Sequence, residues 1–386
     1  MKVCVAPTYL LWNATIGGHA WVLLNWVLGL QDLGCEVVLL DDYRRDHDAD
    51  EVVTELDQFA ERMRALGLDA PVALDLNPAQ ARKLAYATGE IEERSIPFEQ
   101  AAEECDLLLA LQYGLPQATI DRFRRSALLD IDPGLLQMWV AGGHFELPRF
   151  DTYFSIGETV GQPAALFSDC GREWNYAPPV VHLPSWPVTP AAPNASYTTV
   201  TNWWGEFEVD GGETFNNEKR THFVEMIDIP SMTSVPIELA IYHEDGHASD
   251  MPMLHANGWG ARPAYEVAST PADYRRYVQS SRGEFSCAKE SCMRLQNAWI
   301  SDRTLCYLAS GKPAVVQHTG PSRFLPDAAG LFRFHTAAEA ARLLDAAEAD
   351  YAGHCAMART LVEDHFDACK VGARLLERAM DVKEAG

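Results

Sequence analysis

Hydrophobic positions along the chain fall into two alternating rhythms: short unbroken runs, and longer stretches with helical spacing. Residues 2 to 6 form the first run and Glu36 to Leu40 the second. Apolar runs of this length read as strands buried on both faces. Between them, a segment that starts near Gly17-Gly18-His19 and stops at Gly34 is apolar on nearly all sides, the pattern of a buried helix closed by a C-terminal glycine. This is a βαβ unit, whose crossover requires parallel strands. The alternation continues with helices over 49–66 and 98–104, a strand over 106–111, a helix over 117–125, and strands over 127–131 and 152–156.

Proline then becomes dense at Pro178, Pro179, Pro184, Pro187, Pro190 and Pro193, which suits an extended linker better than a helix or a central strand. After it the rhythm restarts. Strands are predicted over 198–201, 237–242, 284–288 and 313–317, with helices over 219–226, 251–257, 271–280, 337–348, 351–365 and 370–380. Ser301 to Gly311 reads as an amphipathic helix with a capping residue in front and a glycine behind. The expected fold class is α/β with two open parallel sheets. The expected divisions are residues 1–185, a linker over 186–196, a second domain over 197–365, and a terminal helix over 366–386.

Length and composition agree with two domains, since 386 residues exceed what one core usually organises. A formal charge of -24 argues against nucleic acid as the main partner, because phosphate backbones are bound by concentrated Lys and Arg. The nine cysteines are irregularly placed and predict buried reduced thiols, and Cys287 and Cys292 lack the second pair that a zinc site needs. The opening residues are too quickly interrupted for a signal peptide, and the apolar stretch from Ala20 to Leu30 is too short for a membrane span. A cytoplasmic protein, monomeric or homodimeric and without a membrane span, is the expectation.

Ligands of open parallel sheets bind beyond the carboxyl ends of strands, so the loops there hold the candidate chemistry. Gly17 and Gly18 would let backbone amides approach a diphosphate or an acceptor, and His19 behind them has the pKa range of a general base. Asp132, at the end of another predicted strand, is the candidate to orient its imidazole. In the second half, the helix start at Ser301 to Thr304 favours an anion, and Arg303 and Lys289 could neutralise a diphosphate. The loop His318-Thr319-Gly320 follows the next strand on the same side of the sheet. Trp203 and Trp204 either wall the cleft or pack under the linker, and Glu206, Glu208 and Asp210 read as a solvated acidic loop.

Three stretches together resemble glycosyltransferases of the GT-B fold. Gly17-Gly18-His19-Ala20-Trp21 with Gly29 to Gly34 looks like their first βαβ unit, Ser301 to Pro313 with Val315-Val316 looks like their donor-diphosphate helix and strand, and the last helices look like their C-terminal cap. The resemblance implies two Rossmann-like domains facing each other across a cleft. It implies a nucleoside-diphosphate sugar held by the second, a small-molecule acceptor held by the first, no required metal or other cofactor, and a terminal helix packed back toward the first domain. By the same resemblance Ser301, Arg303, Thr304 and Lys289 contact the diphosphate. His318, Thr319 and Gly320 lie near the transferred sugar, and Glu284, Phe285 and Ser286 lie along the nucleobase. Many retaining members carry two glutamates at the positions that are Ala298 and Cys306 here. Their absence favours an inverting transfer with His19 as base. The alternatives are a nucleotide-sugar epimerase of the same fold and a non-catalytic nucleotide-sugar-binding helper.

Overall fold

The computed structural model describes residues 1–7, 10–13, 17–43, 48–84, 88–205, 207–210, 213–242 and 250–381. Eight strands form the first sheet: β1 (Lys2–Ala6), β2 (Glu36–Asp41), β3 (Val72–Leu74), β4 (Ile96–Pro97), β5 (Leu107–Ala110), β6 (Ser126–Asp130), β7 (Thr152–Ser155) and β8 (Trp174–Tyr176). Their spatial order is β4-β3-β2-β1-β5-β6-β7-β8, and every pairing is parallel. The order reverses between β1 and β5, which opens a crevice at their carboxyl ends. The central strands are buried on both faces, as parallel sheets covered by helices require.

The second half repeats the design. It contains β9 (Tyr197–Asn202), β10 (Phe207–Asp210), β11 (Glu213–Asn216), β12 (Ile237–Tyr242), β13 (Gly260–Pro263), β14 (Gly283–Ser286), β15 (Ala314–Gln317) and β16 (Leu331–Phe334). Six of them make a sheet in the order β13-β12-β9-β14-β15-β16, with its reversal between β9 and β14. The two parallel sheets and their flanking helices are two Rossmann-like domains in the GT-B arrangement.

Several elements differ from the sequence expectation. The helix expected over 117–125 is a single turn, Gln117–Ile120. The expected acidic loop is largely a hairpin, in which β10 and β11 pair antiparallel; Glu206 lies outside the described residues. Edge strands β4, β8, β13 and β16 carry no prediction. Residues 177–196 join the sheets, and Trp186 in this passage is fully buried, edge-on to Trp21 of the first domain at 4.7 Å. Thr189 donates its amide to Ser310 O, and its own carbonyl accepts from the buried Lys312 ammonium. All nine cysteines are free, five of them buried. Among the described residues no helix is long and apolar enough to cross a membrane.

The terminal helix Ala368–Met380 packs on the first domain's helix Gly17–Asp32. A bridge between Val181 and Asp367 runs beside this contact, with Val181 donating to Phe366 O and Ala368 donating to Val181 O. The helices meet at Gly29, where an added Cβ would lie 2.5 Å from the Ala368 Cβ. Gly29→Val is therefore expected to destabilise the fold by about 1–3 kcal/mol through overpacking. Urea unfolding of the variant beside the parent checks this.

Candidate functional site

Five groups from both domains converge on the carboxyl ends of the two sheets. From the first domain come His19, in the first turn of the Gly17–Asp32 helix, and Asp132, two residues beyond β6. From the second come Lys219 at the start of the helix Lys219–Glu225, Lys289 after β14, and Arg303 in the first turn of the helix Asp302–Ala309. Lys289 Nζ stands 3.9 Å from Asp132 Oδ1, spanning the gap between domains.

His19 keeps contact with water inside the crevice, yet surrounding protein lowers its pKa below the ordinary 6.5, desolvation being the largest cause. Asp132 works against that shift, while Lys219 and Lys289 reinforce it. No hydrogen bond joins His19 to Asp132; the carboxylate instead accepts from the Tyr113 hydroxyl at 3.3 Å. Its influence on the imidazole is through space. Asp130, the other strand-end acid, is fully buried, bound by Gln137 and Ser155, and pushed by burial to about 6. It holds β6, β7 and the following turn together and does not face the crevice.

Sequence reasoning passed over Lys219. Burial is the largest influence on its ammonium, and Arg303 and Lys289 act in the same direction, so its pKa falls to about 7. Three cations are thus gathered at the reversal point of the second sheet, where an anion would relieve their repulsion. Its sequence neighbourhood, Asn216-Asn217-Glu218-Lys219, looks like an ordinary solvated helix start. Asp302 was likewise passed over. It sits at the first position of its helix, and burial with the nearby Asp132 raises it to about 6, so this end of the crevice is not uniformly positive.

The remaining predicted residues take more structural places. Arg303 donates through Nε to Glu284 at 2.6 Å and through Nη1 to Val200 O at 3.0 Å. Glu284 is fully buried, so this pair ties β9 and β14 to the helix start. Phe285 points to the opposite face, stacked on Phe334 at 5.5 Å within the core, and Ser286 is buried too. All three residues lie in the sheet interior. Ser301 caps its own helix by accepting from Arg303 N at 3.3 Å, and the Thr304 side chain is buried.

Thr319 donates to Trp299 O, its carbonyl accepts from Ala298 N, and Gly320 sits at φ 127° with Gln296 O only 2.7 Å from a hypothetical Cβ. That loop is stitched to segment 296–299, where Gln296 and Ala298 themselves adopt positive φ. His318 stacks on His335 at 4.5 Å.

Gly17 serves the domain contact: a Cβ there would fall 2.6 Å from Ala268 O and 2.9 Å from Thr270 O, so only glycine fits. A Cβ added at Gly18 would lie 3.4 Å from the Tyr274 ring, an ordinary contact. Trp203 is a core residue, stacked on Phe223 and donating to Asp250, because an indole this large is buried wherever its N–H finds an acceptor. Trp204 is half-buried beneath Arg220, whose guanidinium lies 5.2 Å from its ring. Among the described residues no three His, Cys, Asp or Glu side chains gather as a metal would need.

No protein-family model and no curated protein matches the sequence. Among solved structures the chain is similar to Anabaena HepE in complex with UDP and glucose, at 12% identity over 98% of this chain and 99% of that one, TM-score 0.56. It is similar to AviGT4, a glycosyltransferase involved in avilamycin A biosynthesis, at 14% identity over 98% and 97%, TM-score 0.55. An α-glucosyltransferase in complex with UDP and a 13-mer DNA containing an A:G mismatch shares 11% identity over 99% of each chain, TM-score 0.58. At these identities the likeness is one of fold, and it extends over both domains.

Glu284→Gln leaves the buried Arg303 guanidinium without its counter-charge, and the protein is expected to lose about 3–5 kcal/mol of stability. Chemical denaturation monitored by circular dichroism measures this. A loss below 1 kcal/mol would mean the pair contributes little to the fold.

Proposed function

We propose that the protein is a glycosyltransferase that uses a nucleoside-diphosphate sugar, with the second domain holding the donor and the first holding the acceptor. The observation that carries this reading is the gathering of Lys219, Lys289 and Arg303 at the reversal point of the second sheet, opposite His19 and Asp132. A diphosphate offers two or more negative charges to a site that is crowded with positive ones. The shared fold of HepE, bound to UDP and glucose, and of AviGT4 supports the same assignment.

In the proposed reaction, neutral His19 accepts the proton of an acceptor hydroxyl as its oxygen attacks the anomeric carbon. The bond from that carbon to the diphosphate breaks, and the nucleoside diphosphate leaves with inverted configuration at carbon. Lys219 and Lys289 neutralise the developing charge, and the positive end of the helix Asp302–Ala309 assists them. Arg303 acts mainly by holding that helix start against β9 and β14. Partial desolvation of His19 by the surrounding crevice serves the reaction, because a lowered pKa keeps the imidazole neutral at pH 7. Two glutamates typical of retaining relatives are replaced by Ala298 and Cys306, consistent with the inverting course.

UDP binding measured by calorimetry is expected to weaken as pH rises above about 7, where the free protein's Lys219 loses its proton. The sign follows because the diphosphate prefers the protonated amine, so binding takes up a proton and affinity falls by up to about tenfold per pH unit. Lys219→Met should bind UDP about 10–100-fold more weakly and abolish this dependence, as the loss of one charge-assisted bond would. A pH-independent affinity in the parent would contradict the role of Lys219.

His19→Ala should lower sugar transfer by about 10²–10⁴-fold while leaving UDP affinity within about twofold. Product analysis with UDP-glucose and a panel of hydroxyl acceptors reads the first effect, and calorimetry the second. Full transfer activity in this variant would remove His19 from the mechanism.

A further inference from the structure

Away from the crevice, the first domain carries a cavity of about 880 Å³ whose lining includes Val140, Phe145, Leu147, Pro148, Arg149 and Arg172. Its composition is unusual for this chain. The sequence holds 55 acidic and 31 basic residues, and many of its arginines lie against carboxylates, Arg94, Arg220, Arg262, Arg282, Arg303, Arg333 and Arg378 among them. Among the described residues, Arg149 and Arg172 pair with none. The single carboxylate in the lining, Glu146, is exposed and bridges to neither.

Both arginines are nevertheless held. Arg149 donates its backbone amide to Gln117 Oε1 at 2.8 Å and accepts from Gln117 Nε2 at 3.2 Å, so a fixed backbone presents its guanidinium. Arg172 lies over the Tyr153 ring at 5.6 Å, and its Nε is buried without a hydrogen-bond partner among the described residues. A guanidinium without a counter-charge favours an anion beside it, and its planar donor fork matches the oxygens of a carboxylate or phosphate. Beside that charge stand a phenyl ring and aliphatic side chains, which bind carbon rather than an oxyanion.

We propose that this cavity binds a small organic anion with an apolar body. Its phosphate or carboxylate is held by Arg149 and Arg172, and its carbon skeleton lies against Phe145, Leu147 and Val140. The Phe145 ring is edge-on to Tyr113 at 5.7 Å, and the Tyr113 hydroxyl donates to Asp132. A ligand in the cavity therefore touches a side chain one ring away from the reaction crevice. This site does not rest on the glycosyl-transfer reading.

Calorimetry on the full chain with phenyl phosphate, phenol and inorganic phosphate tests it. Phenyl phosphate is expected to bind at least about tenfold more tightly than either of the others, since only it engages both halves of the cavity. Arg149→Met and Arg172→Met should each weaken it by about tenfold or more, in the parent and equally in a Lys219→Met background where the crevice has lost a cation. Arg149 is exposed, so that variant reports on binding even if Arg172→Met unfolds the domain. Binding that survives Arg149→Met but falls with Lys219→Met would place the probe in the crevice and overturn the proposal. Equal binding of phosphate and phenyl phosphate, or none, would overturn it as well.

Discussion

Like charges that the sheet topology holds side by side define the second domain's half of the crevice. Lys219, Lys289 and Arg303 are brought together because β9 and β14 are neighbours in space with a sheet reversal between them, so the segments that follow both strands end at one point. Only Arg303 has a permanent answer to its charge, the buried Glu284 beneath it. Lys289 leans on Asp132 from the other domain at a distance of 3.9 Å, and Lys219 responds by giving up much of its affinity for a proton. An amine in that condition is stabilised by any anion that enters, and the strength of that response is set by geometry already in place.

Closure of the two domains supplies the other half of the site. Trp21 donates to Pro271 O at 2.8 Å and Asn297 donates to Pro133 O at 2.7 Å. Glu158 of the first domain accepts from both the amide and the guanidinium of Arg323, and Tyr176 stacks flat on Phe324 at 5.9 Å. These contacts surround the crevice from several sides. They explain why Gly17 is glycine, since its Cβ position is occupied by the second domain's backbone, and why His19, two residues on, ends up partly desolvated although it begins a helix. The domain contact and the lowered pKa of the base have one cause.

Much of this architecture was legible in the sequence because buried parallel strands are unbroken apolar runs and buried helices are apolar all round. Residues 2–6, 36–40 and 237–242 needed no tertiary information to be read as strands. The edges were less legible: β13, Gly-Ala-Arg-Pro, and β8, Trp-Asn-Tyr, have no run of apolar residues, and only a neighbouring strand makes them strands. The hairpin of β10 and β11 was hidden by its acidic residues, which signal solvent and say nothing about pairing. At the candidate site, strand-end logic singled out His19, Asp132, Lys289 and Arg303, which the fold brings to one crevice, but it could not tell which arginine is neutralised from below or which face of β14 Phe285 would take. Lys219 was invisible, because what distinguishes it from any other lysine at a helix start is the company it keeps across the sheet reversal.

The place where a nucleoside diphosphate binds decides whether the three cations form the donor site. A crystal structure of the protein soaked with uridine diphosphate is predicted to show its two phosphates between Lys219, Lys289 and the first amides of the helix Asp302–Ala309, within about 3 Å of each ammonium. Phosphates resting anywhere else would contradict that role.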